Sequence, residues 1–145
     1  MKKGFTLIEL LIVVVIIGIL LAVIIPRIGI TIDKARERAC RKNLHSIQAA
    51  ITTYCVRLNE EVYPNTVDEF EAILLKYFPQ KIPVATLRKG VANSDSNSLA
   101  IGVSSTCITD NGGWLLVTDV NSQDAGRIFI NSREKDLDGI YYSSY

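Results

Sequence analysis

One acidic side chain, Glu9, lies within an otherwise apolar run of 21 residues from Phe5 to Ile25, near the start of the chain. An ionised carboxylate inside an apolar layer costs about 3 kcal/mol or more unless a positive group meets it. The chemistry predicted for Glu9 is therefore an ion pair with a cation that its own segment does not supply. The alternative is a glutamate that reaches the membrane surface from one end of a helix.

Three cysteines, Cys40, Cys55 and Cys107, are the thiols available for a disulfide. Cys40 and Cys55 are 15 residues apart on one predicted helix, which is about 22 Å at the helical rise. A disulfide requires Cα atoms within about 7 Å, so this pair is excluded within one subunit. We take Cys55 with Cys107 as the candidate bridge, joining the helix end to the sheet in an exported protein. Cys40 is then a buried thiol, and a Cys40–Cys107 bridge is the alternative.

Other residues with metal-binding or catalytic chemistry are few. Asp136, Asp138 and Gly139 form a fragment of a calcium-binding loop, for which a simple polar turn is the alternative. The single histidine, His45, has no cysteine or acid at ligand spacing. The sequence contains no recognisable Ser–His–Asp or Cys–His pairing and no glycine-rich phosphate loop after a strand. We therefore expect no enzymatic activity and no cofactor, with calcium as the one candidate ion.

Length and composition limit the architecture. The chain has 145 residues, which is enough for one domain but not for two full cores. Its 16 basic and 15 acidic side chains give a net charge of +1, so a specific nucleic-acid partner is not predicted. A hydrophobic content of 48% excludes wholesale disorder. The positive mean hydropathy comes from the single run at residues 5–25.

The apolar run has the properties of a membrane-spanning helix. Its 21 residues are about as long as the hydrocarbon core of a bilayer is thick, and it shows no polar face. It is longer than the apolar part of a secretory signal, and no small-residue cleavage site follows it. Basic residues flank it on both sides, and their bare count would place the C-terminal side in the cytoplasm.

The first residues, Lys-Lys-Gly-Phe-Thr-Leu-Ile-Glu at positions 2–9, resemble the class III signal of type IV pilins and pseudopilins. The resemblance implies that a membrane-embedded prepilin peptidase cuts between Gly4 and Phe5 and methylates the new amine of Phe5. It also implies that the apolar run is retained, with the leader in the cytoplasm and the globular part outside. We adopt that orientation over the charge count.

The same resemblance assigns roles to three residues of the run and its end. Glu9 pairs with the amine of Phe5 on a neighbouring subunit and so sets the axial register of a filament. Gly18 and Pro26 bound a stretch in which the helix melts in related filaments, since both weaken helical hydrogen bonding. The alternative for this pair is the ordinary tolerance of glycine and proline in membrane helices.

The rest of the chain alternates between helical and strand patterns. One helix is predicted from Phe5 to Asn59, because apolar residues recur after Pro26 at helical spacing. The members of this stripe are Ile28, Ile32, Ala35, Ala39, Leu44, Ile47, Ile51, Tyr54 and Leu58. A second helix follows a capping box at 66–69 and ends before Pro79. Strands are predicted at 99–103, 114–118 and 127–130, with a turn at 110–113.

These elements predict an α+β chain with a pilin fold. The long N-terminal helix spans the membrane with its first half, and its second half packs on a small antiparallel sheet. The expected divisions are a leader at 1–4, a transmembrane and filament-core segment at 5–25, an amphipathic segment at 26–59 and a globular α+β head at 60–145. The basic residues that follow the run are expected to contact either anionic head groups or acidic residues of neighbouring subunits.

The function implied by the resemblance is structural. The chain is expected to be a pilin that polymerises into a type IV pilus-like surface filament. Its partners are then further copies of itself, prepilin peptidase, and an inner-membrane assembly platform with its ATPase. It would lie in the inner membrane as a single-pass protein with a cytoplasmic N-terminus, and in an extracellular filament after assembly.

Two alternatives remain open at this point. A type II secretion pseudopilin is one, although the sequence lacks the Pro-Trp-Gly segment and the clear calcium loop of the usual major pseudopilin ending. A binding domain anchored by a single membrane span is the other, and it belongs to a different functional class.

Overall fold

The structure is a computed structural model that describes residues 4–58 and 63–145. Residues 1–3 of the predicted leader lie outside the described residues, and so do residues 59–62, which include the predicted helix end at Asn59 and the predicted start of the head at residue 60. The contacts divide the chain into two compact units, one up to Ile32 and one comprising Asp33–Tyr145. The second half of the long helix therefore shares a unit with the globular head.

Helix α1 comprises Leu7–Leu58 and contains Pro26. Its start lies two residues after the predicted one. Within the described part of the chain, α1 is the one helix that is long and apolar enough to cross a membrane, judged by length and composition. The long N-terminal helix is thereby confirmed.

The part of α1 in the second unit buries one face. That face is formed by Glu37, Cys40, Leu44, Ile47 and Ile51, at steps of three and four residues, as expected for one side of a helix. The predicted stripe is correct at Leu44, Ile47 and Ile51, and Tyr54 packs against the same cluster. It is wrong before Leu44, since Ala35 and Ala39 are exposed and a glutamate and a cysteine occupy the buried positions.

Helix α2, Val67–Tyr77, begins at the predicted capping box. The amide of Glu69 donates to the hydroxyl of Thr66 at 3.2 Å, and the amide of Asn65 donates to the Glu69 carboxylate at 3.0 Å. The buried face of α2 consists of Phe70, Ile73 and Leu74. The helix ends before Pro79, as predicted.

Three strands form one sheet in the order β1-β2-β3. They are β1, Leu99–Gly102; β2, Trp114–Val117; and β3, Ile128–Ile130. All three predicted strands are present, each shorter than predicted by one residue. A 3-10 helix, Tyr142–Ser144, follows the sheet.

The sheet is mixed, which corrects the predicted purely antiparallel arrangement. Strands β1 and β2 are parallel, with Leu99 opposite Trp114, whereas β2 and β3 are antiparallel, with Trp114 opposite Ile130. The segment 103–113 does not form the expected hairpin. It returns to the other end of β1 before β2 begins, as a parallel pair requires. The amide of Trp114 then donates to the carbonyl of Ser98 at 2.8 Å.

Both faces of the sheet are covered. Alternate residues of β2 and β3 point to opposite sides, so Trp114, Leu116, Ile128 and Ile130 pack with the buried faces of α1 and α2. The other side of the sheet forms a second cluster. Its members are Leu115, Val117 and Phe129, covered by Ile108 and Cys107 from the connecting segment 103–113. The α+β architecture is thus confirmed, with a covered second face that the sequence analysis did not anticipate.

Candidate functional site

Thr6 and Glu9 form a reciprocal capping box at the start of α1. The amide and hydroxyl of Thr6 donate to Oε2 of Glu9 at 2.8 and 2.6 Å. In return, the amide of Glu9 donates to the Thr6 hydroxyl at 3.4 Å. This cap was not predicted from the sequence, although the same Thr-x-x-Glu spacing at 66–69 was.

The capping box orients the Glu9 carboxylate at the exposed start of the helix. Oε2 accepts both hydrogen bonds from Thr6, and Oε1 accepts none among the described residues. Gly4 and Phe5 precede the helix and are exposed, with Phe5 77% accessible. The predicted cleavage bond and the predicted ion-pairing carboxylate therefore lie within one helical turn, and both are accessible to another molecule.

The apolar side chains of the first unit are exposed on every side of the helix. Between Leu7 and Ile25 the large apolar side chains are 45–83% accessible. An exposed apolar surface of this extent is found where a protein meets lipid or other protein. This segment therefore has the surface of a helix that contacts lipid or other protein.

Gly18 and Pro26 both lie within the continuous helix α1. Proline has no amide hydrogen, so Pro26 removes one helical hydrogen bond, and Gly18 has no atoms near the position of a side chain. The single chain is helical at both positions. The proposed melting concerns subunits packed in a filament and stays a prediction.

The structure places the two members of the candidate disulfide, Cys55 and Cys107, in different clusters, and the bridge stays a prediction. Cys55 packs against the cluster shared with α1 and α2, whereas Cys107 packs against the cluster on the other side of the sheet. The sheet separates the two residues. Cys40 is a buried thiol, as expected, and burial raises its pKa to about 12.

Asp136, the first residue of the calcium candidate, is buried and hydrogen-bonded within the protein, and calcium binding stays a prediction. Its Oδ1 accepts from the amides of Asp138 and Ile140 at 2.9 and 2.8 Å. Its Oδ2 accepts from the hydroxyl of Tyr145 at 2.5 Å and from the guanidinium of Arg41 at 3.2 Å. All of its acceptor sites thus face protein donors, while Asp138 is exposed. Among the described residues, no group of three or more His, Cys, Asp or Glu side chains could hold a metal ion.

The environment of Asp136 favours its ionised form. Burial alone raises the pKa of a carboxyl, but the hydrogen bonds from Tyr145 and from the two amides, with the charge of Arg41, outweigh it. The net result is a pKa of Asp136 below its ordinary value. Burial, reinforced by the bond to Asp136, raises the pKa of the Tyr145 phenol.

A second buried acid, Glu37, joins the same region to α1. Its Oε1 accepts from the hydroxyl of Tyr142 at 3.1 Å and from the amide of Leu137 at 3.0 Å. The guanidinium of Arg41 lies 3.9 Å from the centre of the Tyr145 ring, a cation–π geometry. Glu37 and Arg41 on α1 therefore anchor the last segment of the head. Their contacts are non-local, so no sequence motif indicated them.

Comparison with known proteins identifies the N-terminal segment. Residues 1–25 match the family described as the prokaryotic N-terminal methylation motif. The type II secretion system core protein G of Pseudomonas aeruginosa is 37% identical over 75 residues, which cover 52% of this chain and 51% of the relative. The protein of the same name from Vibrio cholerae is 34% identical over 75 residues, covering 52% and 50%.

A third relative is the ComG operon protein 3 homolog of Bacillus licheniformis. It is 40% identical over 53 residues, which cover 37% of this chain and 55% of the relative. The chain spans about half the length of the curated relatives it matches. No solved structure matches it significantly. The chain thus carries a prepilin-type methylation motif at its N-terminus, and the relatives that it matches over about half their length are type IV pilin-like.

Proposed function

We propose that the chain is a structural, non-catalytic subunit that is processed at its N-terminus and polymerises through α1 into a type IV pilin-like filament. The observation that carries this proposal is the apolar segment Leu7–Ile25, which lies within the region that matches the methylation motif and is exposed on every side. A single head cannot cover such a helix. A bilayer covers it before assembly, and the helices of other copies cover it in a filament core.

The geometry at the start of α1 supports a specific assembly contact. Cleavage after Gly4 would create a methylated amine on Phe5. The Glu9 carboxylate, held at the helix start by Thr6, would accept a hydrogen bond from that amine of a neighbouring subunit through Oε1, which none of the described residues contacts. An ion pair in an apolar core is weakly screened, so it favours one axial position over all others.

The comparisons favour one member of this functional class over another. A surface pilus was the first expectation from the sequence, with a type II secretion pseudopilus as its alternative. Two of the relatives described above carry the name of a type II secretion core protein. We therefore place the pseudopilus first and keep the surface pilus as the second candidate.

Processing provides the first test. The intact mass of the chain, purified from cells with a prepilin peptidase, is expected to show loss of residues 1–4 and gain of one methyl group. Deletion of Gly4 is expected to block processing and filament formation, whereas Gly29→Ala, at another exposed glycine with open space around it, should leave both unchanged. A Gly4-deleted chain that keeps full function would instead indicate a membrane-anchored binding domain.

Electron microscopy and a secretion assay separate the two filament types. If the chain forms a pseudopilus, its deletion should abolish export of secreted enzymes while cells at normal expression carry no sheared surface filaments of this subunit. Abundant surface filaments with normal export would favour a surface pilus.

A further inference from the structure

A loop at residues 135–141 presents apolar side chains to solvent. Lys135 and Tyr141 face each other as an antiparallel bridge, and the chain turns between them. Leu137, Ile140 and Tyr141 are 38, 45 and 50% exposed. Single exposed aliphatic residues are ordinary, but three within five consecutive residues form a compact apolar tip.

The apolar tip is held in place from the inside. The buried carboxylate of Asp136 accepts hydrogen bonds from the amides of Asp138 and Ile140. The amide of Leu137 donates a hydrogen bond to the carboxylate of Glu37 on α1. These bonds fix the backbone on both sides of the tip. The apolar side chains therefore project outward in a defined arrangement.

Several basic side chains lie beside the tip. A groove of about 170 Å³ between α1 and the loop is lined by Lys34, Glu37, Arg38, Arg41 and Asp138. Glu37 is buried, and Arg41 pairs with Asp136, whereas Lys34 and Arg38 are exposed and form no ion pair among the described residues. The ammonium group of Lys135 lies 4.6 Å from the centre of the Tyr141 ring. Asp138 is the one exposed acid that lines the groove.

We propose that this loop and its basic rim bind the surface of an anionic phospholipid bilayer. The inference rests on the proposed function, which places Leu7–Ile25 across that bilayer. Lys34 follows Ile25 by nine residues, so connectivity alone keeps it within about 30 Å of the end of the apolar segment. Leu137 and Ile140 enter the boundary between head groups and acyl chains, Tyr141 lies at the interface, and Lys34, Arg38 and Lys135 meet lipid phosphates.

Photo-crosslinking of the full chain in vesicles tests this contact. We would place p-benzoylphenylalanine at position 141, and in a matched control at Val103, which is 62% exposed on another part of the head. The vesicles would contain phosphatidylcholine alone or with phosphatidylglycerol. We expect lipid adducts at position 141, several-fold more with phosphatidylglycerol than without it, and few at position 103. Equal adducts at both positions would overturn the proposal, as would adducts between two protein chains at position 141 in place of lipid adducts.

Charge removal tests the basic rim. The double substitution Lys34→Gln and Arg38→Gln is expected to lower the lipid adducts at position 141 several-fold in the anionic vesicles. The matched pair Lys76→Gln and Lys81→Gln, exposed basic residues elsewhere on the head, should not lower them. An unchanged yield in the first variant would overturn the assignment to anionic lipid.

Flotation of the vesicles separates this inference from the proposed function. A chain that floats with the vesicles but forms no adducts at position 141 overturns the loop contact alone. A chain that does not float overturns the membrane-spanning segment as well.

Discussion

At the scale of single residues, the two carboxylate oxygens of Glu9 differ in their contacts. Oε2 caps the helix through Thr6, and Oε1 accepts no hydrogen bond from the described residues. The capping bonds restrict the rotation of the side chain. A carboxylate that is already oriented loses less entropy when it meets a cation from a neighbouring chain.

Substitution of Glu9 separates capping from charge. Glutamine serves in a capping box but cannot form an ion pair, so Glu9→Gln should reduce filament yield as severely as Glu9→Ala. We expect a loss of about tenfold or more, since leaving a buried partner charge unpaired costs about 3 kcal/mol or more. Sheared filaments quantified by immunoblot measure the effect. Glu69→Gln, in the equivalent cap of α2, is the control and should assemble normally; a normal yield of Glu9→Gln would show that the cap alone suffices.

Asp136 provides a residue-scale prediction on stability and pH. Asp136→Asn keeps the shape of the side chain but places an uncharged amide group opposite Arg41. We therefore expect the free energy of unfolding to fall by about 2–4 kcal/mol at pH 7. In the folded protein the pKa of Asp136 lies below its ordinary value of 3.8. The stabilisation from the ionised carboxylate is therefore complete above about pH 4 and is lost as the pH falls through the pKa of the folded state. The difference between wild type and variant should therefore shrink below pH 4.

Urea unfolding of the full chain in detergent micelles, followed by the fluorescence of Trp114, measures this difference. Asp124→Asn is the control, because Asp124 pairs with Arg127 at the surface three residues away. Removal of such a pair is expected to cost less than about 1 kcal/mol. A cost at Asp136 no larger than that at Asp124 would contradict the anchoring role.

At the scale of elements, the connection from β1 to β2 depends on Gly113. Its φ is +74°, and a methyl group there would overlap the carbonyl oxygen of Ser98. Gly113→Ala should therefore destabilise the head by more than about 3 kcal/mol. Gly139→Ala is the matched control. Its φ is +81° with open space around it, so conformational strain alone should cost about 1–2 kcal/mol. Thermal melting by circular dichroism gives both values, and equal losses would refute the steric argument.

Elements with local signals were predicted correctly from the sequence. The apolar spacing of α1, the Thr66 cap of α2 and the apolar runs of the three strands each depend on neighbouring residues. Strand pairing does not depend on neighbouring residues alone, because the path of the whole segment 103–113 brings Trp114 next to Ser98. The glycines at 112–113 favoured a hairpin that does not form.

The candidate site shows the same division. Gly4, Phe5 and Glu9 were found from a short contiguous motif. The placement of Cys55 and Cys107 in different clusters had no local signal, because it depends on the segment 103–113 covering the far side of the sheet. The contacts of Asp136 with Arg41 and Tyr145 join residues that are far apart in the sequence, so no spacing pattern predicted them.

At the scale of the whole molecule, the second unit contains a complete core. Both clusters of buried apolar residues lie within Asp33–Tyr145. A fragment of residues 33–145 should therefore fold without the apolar segment. We expect it to be soluble and to show near-ultraviolet dichroism from the buried Trp114 together with a cooperative thermal transition. The control is the same fragment with Phe70→Ala, which should lose about 3–5 kcal/mol of stability; a wild-type fragment without a transition would contradict an independent core.

The apolar side chains of Leu7–Ile25 are exposed on every side of the helix, and this affects the free energy of moving the segment from a bilayer into a core formed by its own copies. Lipid tails are as apolar as leucine and isoleucine, so a helix of this kind gains almost no hydrophobic free energy by leaving a bilayer for a core of its own copies. Hydrophobic burial alone therefore favours neither environment. If the chain assembles as proposed, close packing and the Glu9 ion pair have to supply the free energy that favours the filament core, and the hydrophobic term does not oppose the return of subunits to the bilayer.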